Sequence, residues 1–244
     1  IIRHLVTSSN EDFGWQLYSD GQWREEPLVH TRTALSSLGY DSKEITAMLG
    51  AAIFKCWKIV NQPFQLEYPG DRQWNKNAAQ LKYSPSQEIG SYNTWMLILN
   101  HVGESLTNAV RENNWCIQYG ILTGADYLRC WIASLFQFPL QPLPYLFLYG
   151  PQNSGKTVLH ESISLLFTKG YIRADSALIS QSGFNSELEG TVLCAVEEID
   201  LRQNRVAYNR IKDWVTSHDI LIHAKYGTPY HSPNSTHWIQ CAND

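Results

Sequence analysis

At 244 residues and 27.9 kDa the chain has room for one large domain or two modest ones around a buried core. With 43% hydrophobic and 17% charged residues it is not a disordered chain; no apolar run approaches the roughly 18 residues of a bilayer span, and Ile1–Val6 lack the plan of a signal peptide. A net charge of −4 excludes a simple basic nucleic-acid coat but leaves room for positive charge confined to a few loops.

In chain order, Trp15 to Trp23 places two short aromatic stretches around Asp20-Gly21, a hairpin signal. Asp41 followed by Glu44 predicts a capped helix start. Ile45, Met48, Leu49, Ala52, Ile53, Cys56, Trp57 and Val60 continue it at helical spacing until Pro63. Pro63, Pro69, Gly70, Pro85 and Gly90 mark residues 62–90 as a linker or irregular connection. Helical patterning resumes over 92–110 and again over 125–138, where Tyr127, Leu128, Trp131, Ile132, Leu135 and Phe136 form one apolar stripe that reads as core. Tyr145–Tyr149 is a short, continuously apolar run, as expected of a buried parallel strand. A helix is predicted over 156–167, with further strands over 191–196 and 237–242. Strands separated by helices predict an α/β sheet covered on both faces.

Cys56, Cys116, Cys130, Cys194 and Cys241 are scattered and include no C-x-x-C pair, so neither a disulfide framework nor a cysteine zinc site is expected. His218, His223, His231 and His237 recur at uneven spacing, without an i, i+4 pair to hold a metal on one helix face.

Gly150-Pro151-Gln152-Asn153-Ser154-Gly155-Lys156-Thr157 matches G-x-x-x-x-G-K-[ST] in full, between the apolar strand and the helix where the chemistry needs it. Glycines let successive N–H groups point inward at phosphate oxygens, and the helix adds the positive end of its dipole. Lys156 is expected to reach the β- and γ-phosphates of ATP, and the Thr157 hydroxyl to ligate Mg²⁺. Hydrolysis needs carboxylates at the end of a second strand. Val192–Val196 leads into Glu197-Glu198; Glu197 is assigned to the metal and Glu198 to the attacking water, with Asp200 as a rival for either role. A third strand, from Trp238 to Ala242, ends in Asn243, a polar group suited to sensing the γ-phosphate or the water. Most P-loop hydrolases carry Asp where this chain has Glu197.

The loop Gly150–Thr157 after Leu146-Phe147-Leu148-Tyr149, the acids Glu197-Glu198 and the closing Cys241-Ala242-Asn243 resemble superfamily 3 helicases, a branch of the AAA+ ATPases of viruses, phages and plasmids. The segment from Arg210 to Gly227 is similar to that family's helix, polar turn and DNA-contacting hairpin. Tyr18-Ser19-Asp20-Gly21-Gln22-Trp23 is similar to a pattern upstream of the ATPase in poxvirus- and phage-type primase-helicases. The resemblance implies a hexameric, homo-oligomeric ring helicase of DNA replication moving on single-stranded DNA, often joined to a primase domain and not to a membrane. It assigns Lys225 to DNA phosphates, with His223 and Tyr226 beside it. The family's arginine finger follows the sensor strand, whereas Arg202, Arg205 and Arg210 are weak substitutes.

The expected architecture is therefore α/β: a mainly helical region over 1–114, then an AAA+-type P-loop core with a parallel sheet over 115–244, incomplete past Asp244. The chain opens on Ile1 rather than Met and is expected to be a fragment of a soluble intracellular protein. Two other classes fit a P-loop: an AAA+ ATPase acting on protein, and a small-molecule kinase. A kinase would carry an Arg-rich lid after the core, which the sequence lacks; a protein remodeller would favour an aromatic–apolar pore loop over the basic Lys225.

Overall fold

The computed structural model describes residues 1–244 apart from Ile89, Glu198, Tyr226 and Asp244. It begins with a sheet. Strands β1 (Ile2–Val6), β2 (Asp12–Ser19) and β3 (Gln22–Glu26) form an antiparallel meander. Its second turn is Asp20-Gly21, both with positive φ (52° and 79°), as a two-residue type I′ hairpin requires. Helices α1 (Leu28–Ser37) and α2 (Ser42–Phe54) cover one face, packing Leu35, Ile45 and Leu49 against Trp15. The start of α2 is the capping box read from the sequence: Asp41 Oδ1 accepts from the Lys43 and Glu44 backbone N–H groups at 2.7 and 2.8 Å, and Glu44 returns an acceptor to the Asp41 N–H at 2.8 Å.

Helix α2 stops at Phe54, short of the expected Val60, and Trp57–Ile59 is a strand, β4, running parallel to β1. Trp57 and Val60 fit a helical period and a strand equally well, and pairing with β1, some fifty residues earlier in the chain, decides between them. Strand β5 (Gln73–Trp74) extends the sheet, giving the order β3-β2-β1-β4-β5. The expectation of a mainly helical region over residues 1–114 is therefore corrected. Five strands with two covering helices occupy residues 2–74, and helices dominate only further on. The stretch 62–90 is largely irregular, as expected, apart from β5 and the short β6 (Gln80–Leu81).

Helices α3 (Asn93–Gly103), α4 (Thr107–Glu112), α5 (Asn114–Gln118) and α6 (Gly124–Gln137) follow. The apolar stripe of α6 is core: Leu128, Trp131 and Leu135 are buried in one cluster with Leu99 of α3. Next come β7 (Leu146–Gly150), α7 (Lys156–Ser164), β8 (Phe167–Lys169), β9 (Tyr171–Arg173), α8 (Asp175–Ile179) and β10 (Leu193–Val196). The chain closes with α9 (Arg205–Thr216), β11 (Asp219–Ile222), β12 (Tyr230–Pro233) and β13 (His237–Asn243). Helix α7 ends before the expected Phe167, because Phe167 and Lys169 pair with β6 instead.

Strands β7, β13, β10 and β9 form a fully parallel sheet in that order. Alternation sends Leu146, Leu193, Ile239 and Cys241 to one face, against α3, α6 and α7; Leu159 and Ile163 of α7 are fully buried there. Each such burial contributes about 1.5–3 kcal/mol. Cys194, Val196 and Trp238 point to the other face, against Ala177 and Leu178 of α8 and Ala207, Ile211 and Trp214 of α9. Leu5 and Ile59 of the first sheet join that second cluster, so the two sheets share one core. Among the described residues no helix is long and apolar enough to cross a membrane.

Candidate nucleotide site at the end of the parallel sheet

All four parallel strands end at the same edge, and each delivers one part of a site. From β7 the chain runs into the loop 150–155 and then α7. Asn243 at the end of β13 is in register with Gly150. Glu197 follows β10 directly, and Arg173 ends β9. These groups, with Gln152–Val158 and Cys241, line a cavity of about 540 Å³. The structure thus brings together Gln152 to Thr157, Glu197 and Asn243, which the sequence singled out one by one. Glu198 and Tyr226 lie outside the described residues.

The loop turns through Asn153 (φ 61°) and Gly155 (φ 84°), the left-handed region that Gly and Asn adopt most readily. Gly155 caps α7, so the positive end of that helix opens into the cavity. The Lys156 ammonium folds back to donate to the Gly150 and Pro151 carbonyls at 2.8 and 2.7 Å and to Ser154 Oγ at 3.2 Å. From outside the loop, His101 near the end of α3 donates through Nε2 to the Ser154 carbonyl at 2.8 Å. Nothing in the sequence spacing points to His101, which lies some fifty residues away from its partner.

Strand alternation sets Tyr171, Arg173 and Glu197 on the face that α7 covers, since Tyr171 pairs with Leu193 and Arg173 with Ala195. His160, one helical turn after Lys156, meets them there. Its Nε2 lies 3.0 Å from Glu197 Oε1 and its Nδ1 3.0 Å from the Tyr171 hydroxyl. Burial pushes the His160 pKa down, against the pull of Glu197, and pushes the Tyr171 phenol up. Both groups are then neutral, and one arrangement of hydrogens satisfies them. Tyr171 donates to Nδ1, and His160 donates from Nε2 to the carboxylate. Arg173 closes the ring on the other side of Glu197, in an ion pair with Oε2 at 3.3 Å, and donates to Glu161 Oε1 at 3.1 Å. His160, Tyr171 and Arg173 belong to the candidate site, and the motif reading missed them. The visible signal was a histidine four residues past the loop lysine and a Tyr-x-Arg triplet of strand periodicity.

Asp200 sits in an exposed turn, where its carboxylate accepts from the Arg202 backbone N–H at 2.9 Å, and it does not line the 540 Å³ cavity. Asp175 Oδ1 instead accepts from the Glu197 N–H at 3.3 Å. The Cys241 thiol is pushed up to about 11, chiefly by burial. Of the arginines after the acids, Arg210 donates to the Ala177 and Leu178 carbonyls of α8, and Arg202 pairs with Asp200. A larger cavity of about 900 Å³, walled by Tyr145, Phe147, Tyr149 and Tyr208 and lined also by Asp200, adjoins the 540 Å³ one and shares Glu197, Cys241 and Asn243 with it. It lacks the loop residues 152–157, Lys156 among them, that line the smaller one.

The hairpin expected from the sequence is present: β11 and β12 pair antiparallel from Asp219↔Pro233 to Ile222↔Tyr230. Lys225 is exposed in its loop. His223 is half-buried, with its N–H held by Asn185 Oδ1 at 2.8 Å and its ring edge-on to Phe184. His237, the last of the four spaced histidines, is core: its ring nitrogens lie 3.1 and 3.0 Å from the Val192 and Gln141 carbonyls.

A family model described as a family of unknown function, DUF5906, matches residues 148–244, from the end of β7 through the last strand. No curated protein matches the chain. Among solved structures it is similar to the C-terminal region of NrS-1. An A-form apo structure aligns with TM-score 0.58 at 14% identity, covering 99% of this chain and 54% of the other. A second apo structure gives 0.59 at 15%, covering 100% and 54%, and another A-form structure 0.56 at 16%, covering 100% and 53%. The chain spans about half the length of each, and at these identities the likeness is one of fold.

Proposed function

We propose that this chain is an ATP-hydrolysing motor of the superfamily 3 helicase type, built on an AAA+ P-loop core and acting on single-stranded DNA as a homo-oligomeric, hexameric ring. One observation carries the reading: the loop 152–157, Asn243, Glu197 and Arg173 converge from four adjacent parallel strands on a single cavity. A crevice at the carboxyl ends of parallel strands is where open α/β sheets bind ligands, and a glycine-capped helix N-terminus there suits phosphate.

In this reading the loop amides and Lys156 hold the phosphates. Lys156 exchanges the carbonyls of Gly150 and Pro151 for phosphate oxygens, a stronger, charge-assisted partner. The Thr157 hydroxyl and the Glu197 carboxylate are hard oxygen donors lining the same cavity, which suits Mg²⁺. Bound there, Mg²⁺ would neutralise charge on the phosphates. Glu198 orients the attacking water, and Asn243 reads the terminal phosphate. Lys225, flanked by His223 and Tyr226, meets the DNA backbone. A primase domain elsewhere in the full protein is part of the same proposal.

The test is ATP turnover with and without single-stranded DNA, on protein that includes any sequence past Asp244. DNA-stimulated turnover is expected. Lys156→Ala should weaken nucleotide binding about 10–100-fold, the loss of a charged hydrogen-bond donor. Glu198→Gln should bind and not turn over. Turnover indifferent to DNA would favour a protein-directed ATPase instead.

A further inference from the structure

Glu197 is held from two sides by partners of unlike character. On the inner side His160, fully buried, occupies Oε1 and is itself fixed by Tyr171. On the cavity side Arg173 occupies Oε2, and its side chain is 57% exposed. The inner bond is anchored in packed helix and strand; the outer one is a water-accessible ion pair, the kind that contributes little and breaks readily. The second acid on Arg173, Glu161, is also half exposed at 51%, so it does not fix the guanidinium either.

We propose that Arg173 is a nucleotide-specificity residue supplied by the chain itself. It holds Glu197 Oε2 in the free protein, yields that oxygen to a divalent cation, and turns its guanidinium to the terminal phosphate of a triphosphate. His160 keeps Oε1 throughout, so Glu197 retains its aim and offers the cation one oxygen. The inference rests on reading this cavity as a metal–nucleotide site.

Three observations favour Arg173 for this work. It lines the same cavity as Lys156, Thr157 and Asn243. The planar fork of a guanidinium fits phosphate oxygens better than an ammonium does. Of two other nearby arginines, Arg210 is committed to the carbonyls ending α8, and Arg202, paired with Asp200, does not line this cavity.

Arg173→Gln tests it, at a position exposed enough for the fold to tolerate the change. Two quantities are measured on wild type, Arg173→Gln and Arg173→Lys: Mn²⁺ binding to the nucleotide-free protein by electron paramagnetic resonance, and the ratio of affinities for a non-hydrolysable triphosphate and ADP. In Arg173→Gln, Mn²⁺ should bind about fivefold tighter, since a competing cation worth an exposed ion pair is gone. The preference for triphosphate should fall about tenfold, one charged contact to the terminal phosphate. Arg173→Lys should leave Mn²⁺ binding near wild type and recover only part of the preference. If either quantity is unchanged in Arg173→Gln while Lys156→Ala still weakens nucleotide binding, the inference falls and the nucleotide site stands. If wild type binds no nucleotide, both fall together.

Discussion

The end of α3 rests directly on the start of α6: the Gly103 carbonyl lies where a Cβ on Gly124 would have to sit. A Cβ on Gly103 would in turn come within 2.6 Å of the Ala125 backbone nitrogen. The contact is backbone to backbone, so no side chain can swing aside. Two effects oppose each other in Gly124→Ala. Alanine favours the helix by up to about 1 kcal/mol, while forced separation of packed helices costs about 1–3 kcal/mol. Because the clash is with a carbonyl, the steric term should win. A net loss of stability is expected in urea unfolding; an unchanged or raised midpoint would show that the helices part freely.

The same end of α3 reaches the loop 150–155. His101 lies two residues before Gly103 and donates to the Ser154 carbonyl at 2.8 Å. His101→Ala removes this external support and leaves Lys156 and the loop backbone untouched. The bond is exposed, so the expected effect is modest: nucleotide affinity two- to fivefold weaker, within roughly 1 kcal/mol, with little change in melting temperature. Calorimetric titration with ADP would decide it, and affinity equal to wild type would reduce His101 to a surface contact.

The elements legible in the sequence are those whose signals are local. Asp41 with Glu44 marks a helix start, Asp20-Gly21 a tight turn, and Gly150–Thr157 a loop between strand and helix; each needs only a few neighbouring residues. Trp57–Ile59 is a strand because β1 lies beside it, and a helical period over Cys56, Trp57 and Val60 hides that. Tyr171–Arg173, a three-residue strand directly after Gly170, is too short to announce itself, yet it supplies two members of the ring around Glu197. Glu197 and Asn243 could be placed by order after the loop. His101 and His160 could not, because their roles exist only once distant elements are packed together.

Stability should respond to acid in a definite direction. Burial pushes His160 and His237 below the ordinary histidine value, in His237 against the upward pull of the Gln141 and Val192 carbonyls. A histidine depressed in the folded state binds protons more readily when unfolded. Its contribution is therefore fully present above about pH 6.5 and is lost as the pH falls below that value. Melting temperature is expected to hold from pH 8 to 7 and decline between pH 6.5 and 5. His237→Gln should flatten part of the decline even if it lowers the starting stability. A melting temperature constant down to pH 5 would mean that neither ring is held neutral.

The hairpin offers a separable test of DNA contact. Asn185, buried, bridges to it three times: its side chain donates to the Leu221 carbonyl at 2.9 Å and accepts from the His223 N–H at 2.8 Å, and its N–H donates to the His223 carbonyl at 3.1 Å. The base of the loop is thus fastened to the body of the protein, with Lys225 exposed beyond it. Asn185→Ala strips two partly buried hydrogen bonds and should lower stability by about 1–3 kcal/mol. Lys225→Ala, at an exposed position, should change the melting temperature little. Its effect should appear in single-stranded DNA binding, as a several-fold loss and a salt dependence shallower by about one counterion. His223→Ala, by contrast, should behave more like Asn185→Ala, since its ring packs on Phe184. If Lys225→Ala binds DNA with the wild-type salt slope, the phosphate contact lies elsewhere on the chain.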